Sequence, residues 1–399
     1  MNEIIKNDNH KIILNYIAIL AVFIFSGAGT FMNAAVQTMI ESWPQIPANE
    51  IRMITTIPSL VSLPAMLLAG RFVGSKISYR TCLIVGTAII AIAGVMPYFL
   101  NTSWSLILIF RVFLGIGVGM VSIRNSLLLL SIPKEKQAVY IGYGSVLMNL
   151  GAMIASPIVG MLTKYSWRHP FLFDGLALIP LLYMIFFLKE PEIIEEKSKE
   201  TAEGKFGWRT YYYIGMQLLT TMITYPVLFG LSTYMAQKHI GTTVIVGMML
   251  SLYNLAGMGF NVLLNLILKI GKRYTMTAMC LLAAIGLAGM IIYPSIPTIL
   301  LGVILTGGSF NIMMSIFQIY NGQTLPAAKA SFASTIILAM LQMGFFCSTF
   351  FVSISHKILH RATDVESGFI AAMFVYILLG IFSAIMKVAP EKCEKNIKI

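Results

Sequence analysis

Arg111-Val-Phe-Leu-Gly-Ile-Gly-Val-Gly119 lies inside an apolar run from Trp104 to Leu130, and the fold turns on how that run is read. A membrane-crossing helix needs about 20 apolar residues at about 1.5 Å each, so the run is long enough to span a bilayer. It also carries two arginines, Arg111 and Arg124. A charged side chain at mid-membrane costs roughly 3 kcal/mol on insertion scales, so each arginine must face protein, water or an anion. Gly115, Gly117 and Gly119 remove side-chain bulk and allow a neighbouring helix to approach the backbone. At about 100° per residue, Arg111, Gly115, Val118, Ser122 and Asn125 share one face, and Arg124 points almost the opposite way. Each arginine has two readings: a tie between helices, or a charge that acts on a solute.

The composition of the whole chain agrees with a membrane protein. Of 399 residues, 57% are hydrophobic and 11% charged, with a mean hydropathy of +0.82. Soluble domains carry about a quarter charged residues, so these values exclude one. Four scattered cysteines, Cys82, Cys280, Cys347 and Cys393, form no CxxC pair. They imply neither a disulfide framework nor a metal site, and no cofactor is expected. The opening MNEIIKNDNHK lacks a cleavable signal pattern, because the apolar run behind it is too long for a signal peptide.

Twelve apolar segments can be marked. The first six are Ile13–Thr38, Ile51–Gly70, Thr81–Leu100, Trp104–Leu129, Ala138–Leu162 and Phe171–Leu188. The second six are Thr210–Tyr234, Thr243–Leu268, Tyr274–Pro294, Pro297–Tyr320, Ala330–Ser355 and Gly368–Met386. Between them Lys189–Arg209 packs 11 charges into 21 residues. The expected domains are a six-helix bundle over 1–188, a linker over 189–209, and a second bundle over 210–399. If the N-terminus is inside, 20 of the 28 Lys and Arg fall on inner segments, 6 on outer loops and 2 within the membrane. The positive-inside rule then places both termini and the linker in the cytoplasm of a multi-pass cell-membrane protein. The net charge of +12 is spread over short loops, which argues against nucleic acid as a partner. Lipid is the expected surround, and the chain reads as a monomer.

The halves resemble each other. FVGSKISYRTCLIVG and LILKIGKRYTMTAMC set Lys76 and Arg80 against Lys269 and Arg273 at a constant offset, which supports an internal repeat. Polar residues within the segments fall on stripes. Thr30, Asn33 and Gln37 share an arc of the first, Gln217, Thr221 and Thr224 an arc of the seventh, and Asn311, Ser315 and Gln318 an arc of the tenth. Each stripe could serve interhelical hydrogen bonding. A shared aqueous cavity accounts for all of them at once.

With these residues in view, the chain resembles the major facilitator superfamily of secondary transporters over essentially its whole length. RVFLGIGVG at Arg111 looks like the family's fourth-helix arginine–glycine motif. Ser166 to Phe171, SWRHPF, is similar to its Trp-Arg signature between the fifth and sixth helices. Gly70 to Arg80 occupies the place of its second–third loop motif and so implies a gating role for Gly70, Lys76 and Arg80. That loop has Gly74 where an aspartate is usual and Ile77 where a glycine is usual, which implies that its gate is latched in another way or less firmly. Gly151, Ser156, Pro157 and Gly160 are similar to a glycine–proline motif associated with exporters. The resemblance implies an all-α protein of two six-helix pseudo-symmetric bundles, with the first, fourth, seventh and tenth helices lining a cavity that opens alternately to each side. It does not name a substrate.

Within the segments Asp174 is the sole acid, and the five histidines lie at or beyond segment ends. Asp174 is therefore the candidate coupling residue should a proton drive transport, with a salt bridge to Arg168 as its structural alternative. Two arginines without an evident carboxylate partner favour an anionic or electron-rich substrate, since arginine offers planar donors to carboxylate or phosphate. The expected function is a secondary transporter of a small amphipathic or anionic organic solute, leaning to efflux. An uptake permease or exchanger of organic anions is the alternative, and a non-transporting receptor or scaffold a remote one. An enzyme is not expected, because no nucleophilic, metal or paired-acid constellation lies in the segments. The substrate-binding candidates are Arg111, Arg124, Thr30, Asn33, Gln37, Gln217, Thr221, Thr224, Asn311 and Gln318.

Overall fold

A computed structural model describes residues 2–74, 76–100, 103–131, 134–190, 207–324, 327–360 and 363–386. Most of the charged stretch between the halves, 191–206, lies outside the described residues. The chain forms two compact units, Met1–Glu196 and Lys197–Ile399. In the first, the helices are α1 (Ile13–Ser42), α2 (Ala48–Phe72), α3 (Tyr79–Phe99), α4 (Trp104–Val121), α5 (Lys134–Leu162) and α6 (His169–Phe187). In the second, they are α7 (Trp208–Gln237), α8 (Thr243–Val262), α9 (Thr275–Ile292), α10 (Ile296–Thr324), α11 (Ala327–Leu359) and α12 (Asp364–Met386). Among the described residues, 11 helices are long and apolar enough to cross a membrane, and α5 adds a shorter apolar stretch, Val146–Leu162. Helix is the expected solution in lipid, because it satisfies every backbone polar group within the segment.

Each unit repeats one packing scheme. In the first, α2 and α3 pack on α4, α1 on α5, and α3 on α6. In the second, α8 and α9 pack on α10, α7 on α11, and α9 on α12. Shifting every helix number by six converts one list into the other. The glycines of the opening stretch produce the first of these contacts. A Cβ on Gly115 would come 2.7 Å from the carbonyl oxygen of Pro58, and one on Gly119 2.5 Å from the Cβ of Ala65, both on α2. On the other side a Cβ on Gly117 would come 2.7 Å from the oxygen of Gly86 on α3.

Several segments depart from the uniform helices expected. The fourth stops at Val121 and restarts as Arg124–Ser131, so the face drawn from Arg111 through Ser122 to Asn125 does not continue past the break. The turn is closed by Ser122 N–H on the Gly119 carbonyl at 3.2 Å, and Arg124 Nη1 donates to the Val121 carbonyl at 3.2 Å. A side-chain donor thus supplies one of the partners that the broken ladder withdraws. The eighth likewise stops at Val262 and restarts as Leu264–Gly271. Two stretches wind as 3₁₀ helix: Ile24–Ala35 within α1 and His169–Ala177 at the start of α6. They meet through Phe173, whose ring lies 5.3 Å from Phe31 and 6.4 Å from Phe25. At the far end of α1, Trp43 gathers Trp104 of α4 at 6.0 Å and Trp167 at 5.5 Å. Through Trp167, the Trp-Arg run before α6 joins an aromatic clasp.

Candidate functional site

The first unit holds its charges in two different ways. Arg111 on α4 is fully buried, and its Nη1 meets Oδ2 of Asp174 on α6 at 3.2 Å, both side chains being 0% exposed. This corrects two expectations: Asp174 pairs with Arg111, not Arg168, and Arg111 has a carboxylate partner after all. The reason is room. Gly94 on α3 lies against the pair, and a Cβ there would come 2.3 Å from the Cβ of Asp174, so only glycine lets the acid turn inward. The Phe171 ring covers the guanidinium at 5.1 Å. Arg168 instead lies over the Trp167 ring at 5.1 Å. The pair is incompletely satisfied: Arg111 Nε and Nη2 and Asp174 Oδ1 are buried without a hydrogen-bond partner.

Arg124 is held otherwise. It is half-buried at the restart of the fourth segment, and its guanidinium stacks over the Phe23 ring of α1 at 4.6 Å. Its side chain donates to the Val121 carbonyl, and its Nε is buried without a partner. The described residues set no carboxylate against it. Phe23 is in turn wedged on α5, where a Cβ on Gly144 would come 2.5 Å from its ring. Just beyond, a Cβ on Gly151 would come 2.2 Å from the Ile24 carbonyl oxygen. The two α5 glycines thus seat the start of the 3₁₀ run and, with it, the ring under Arg124. No feature of the sequence around Phe23 marks it as the platform; it emerges only from packing.

The polar stripes resolve into separate situations. On α1, Thr30 Oγ1 donates to the Gly27 carbonyl at 2.9 Å, and Gln37 Nε2 to Glu41 Oε1 at 2.8 Å. Asn33 is buried. On α7, Gln217 is 0% exposed; its Nε2 donates to Thr221 Oγ1 at 3.0 Å while its Oε1 has no partner. Thr221 packs on α11, where a Cβ on Gly344 would come 2.7 Å from its own Cβ, and Thr224 hydrogen-bonds the Tyr376 hydroxyl of α12. On α10, Asn311 presses against Gly257 of α8, and Ser315 donates to Asn261 of α8 at 2.8 Å. Gln318 is half-buried. Thr221, Thr224 and Asn311 are therefore engaged in helix contacts within their own unit.

At the α2–α3 turn, Gly70, Lys76 and Arg80 are exposed. Gly74 takes φ +84°, a left-handed backbone that favours glycine, and this makes the turn tight. Lys76 lies over the Phe72 ring at 5.5 Å. Sequence reasoning missed the acid that meets this turn: Glu190, just past α6, accepts the backbone N–H groups of Tyr79 at 2.7 Å and Arg80 at 2.8 Å.

The family model described as Major Facilitator Superfamily matches residues 17–349. The chain is 23% identical over 176 residues to the "Quinolone resistance protein NorA" of Staphylococcus aureus (strain MRSA252), a match covering 41% of this chain and 42% of that relative. The aligned part is thus less than half the length of that protein. Among solved structures, a D-xylose-proton symporter superposes with a TM-score of 0.73 at 16% identity, covering 95% of this chain and 98% of that one. A mutant of the nucleoside transporter NupG superposes with a TM-score of 0.71 at 12% identity, covering 93% and 98%. At such identities these two show likeness of fold.

Proposed function

Because the chain belongs to the major facilitator superfamily, a family of membrane transporters and not of enzymes, we propose that it exports small amphipathic organic anions by alternating access. Arg124 is the contact for the anionic group. The observation that carries this reading is its guanidinium: half-buried beside an apolar span, stacked on Phe23 and facing no carboxylate among the described residues. Such a charge is costly to keep in a membrane unless it does something, and its planar fork suits a carboxylate or phosphate. Arg111 is withdrawn from this role, because Asp174 already supplies its counter-charge. Asn33, buried on α1 of the same unit, is the proposed neutral hydrogen-bonding contact. Export is favoured by the similarity to a relative named for quinolone resistance. In the proposed topology, both termini and the charged stretch between the units lie on the cytoplasmic side of the cell membrane, and the transporter works as a monomer.

Transport by the purified protein in proteoliposomes tests the reading. Carboxyfluorescein, an amphipathic anion, should move in preference to the cation ethidium and to D-xylose. Arg124→Lys keeps the charge but loses the fork, and should reduce carboxyfluorescein transport by about tenfold or more. A preference for ethidium, or wild-type transport by a folded Arg124→Lys, overturns the assignment.

A further inference from the structure

Glu190 lies three residues beyond the end of α6 at Phe187. Its two carboxylate oxygens accept the N–H groups of Tyr79 and Arg80, residues 111 and 110 positions earlier. These belong to the first turn of α3, whose N–H groups have no acceptor within the helix, and a carboxylate there also faces the positive end of the helix dipole. Two further ties flank it. Arg80 Nη2 donates to the Ile185 carbonyl of α6 at 2.8 Å, and Lys189 N–H donates to Asn15 Oδ1 of α1 at 2.8 Å. Three helices, α1, α3 and α6, are thus joined where the chain sets off toward the second unit.

A capping role alone does not explain this arrangement. Ser78 Oγ accepts only the Thr81 N–H, at 3.0 Å, and Glu190 caps the two before it, but the bonds from Arg80 to Ile185 and from Lys189 to Asn15 lie outside any cap. The knot is also exposed, so its bonds exchange with water and can open without disturbing a core. We propose that Glu190 is a positioning residue for transport, a releasable tether that pins the end of α6 to the basic α2–α3 turn. While it holds, the connection to the second unit starts from a fixed point. When it opens, Leu188–Glu190 add about 10 Å of slack at roughly 3.4 Å per residue.

The test separates tether from cap. In detergent, trypsin should cleave the purified Glu190→Ala protein after Lys189 about tenfold faster than wild type, each rate being divided by that of a free peptide of the same 184–194 sequence to remove the effect of the residue after the cut; this is the change expected when a charged cap no longer closes the segment. In proteoliposomes its carboxyfluorescein turnover should fall several-fold while KM is unchanged. Adding Ser78→Asp restores a carboxylate cap to α3 without a tether. The double variant should regain the wild-type melting temperature and keep both the fast cleavage and the slow turnover. Asn15→Ala, which cuts only the tie to α1, should also speed cleavage without altering α3. Recovery of turnover and cleavage by the double variant would reduce Glu190 to a cap, and unchanged cleavage in Glu190→Ala would remove the tether altogether. The turnover arm rests on the anion reading; the cleavage arm needs no substrate and stands if that reading fails.

Discussion

Arg111 and Asp174 show what an apolar interior does with two charges 63 residues apart. Neither could be kept there alone. Removing one partner of a buried pair costs about 3–5 kcal/mol, because the other is left without counter-charge, whereas replacing both by apolar residues is often neutral. Asp174→Asn should therefore lower the melting temperature sharply, and Arg111→Met with Asp174→Leu should recover most of the loss. A double variant that melts as low as the single one would mean that the pair is held for more than charge balance. The coupling role expected of Asp174 becomes a proposal about the pair, since exchanging its proton requires letting Arg111 go. The double variant should lose uptake driven by a pH gradient yet keep substrate counterflow in the same vesicles. Both residues could be singled out in the sequence, but their partnership could not. It depends on Gly94 of a third helix, and nothing local to Asp174 distinguishes Arg111 from the nearer Arg168.

At the scale of single helices, close approach decides the geometry. Two glycines make opposite kinds of contact: Gly94 yields to a side chain, and Gly151 to a carbonyl oxygen of the α1 backbone. Gly151→Ala should be the worse of the two in transport, because a methyl 2.2 Å from the Ile24 oxygen has to displace the 3₁₀ run and with it Phe23 under Arg124. Overpacking of this kind costs about 1–3 kcal/mol, which thermal melts of both variants will show. A Gly151→Ala protein with wild-type transport of carboxyfluorescein would detach the α1 winding from the proposed site. The helices themselves were legible, since a span is a matter of length and apolarity. Their interruptions at Val121 and Val262, and the winding of Ile24–Ala35, were not. Polar residues stand at all three places, Ser122 to Asn125, Asn261 with Asn265, and Thr30 with Asn33, but α7 carries Gln217, Thr221 and Thr224 without a break, so the choice between windings is made by what packs outside the helix.

For the molecule as a whole, the repeat was visible in two basic turns, and its counterpart is the scheme of pairings that both units share. Orientation rests on the 20-to-6 split of basic residues. In a background lacking the four native cysteines, a cysteine at Lys199 should react with an impermeant maleimide only from the cytoplasmic side, and one at Lys238 only from outside. Reaction of both from one side would reject the proposed topology. The polar stripes were the least legible part, because a stripe looks the same whether it meets water or another helix. Thr221, Thr224 and Asn311 turned out to meet helices. Alternating access is ordinarily pictured as two stiff bodies rocking, and the twelve-residue run Ile24–Ala35 is the stretch of the first unit whose winding sets how stiff α1 is. A 3₁₀ helix rises about 0.5 Å more per residue than an α-helix and turns about 20° further. Rewinding the run would therefore draw its ends together by about 6 Å and rotate one against the other by about 240°. Neither change fits between the glycines that seat its start, Gly144 under Phe23 and Gly151 under the Ile24 carbonyl, so the first helix is a screw thread that the fifth holds locked.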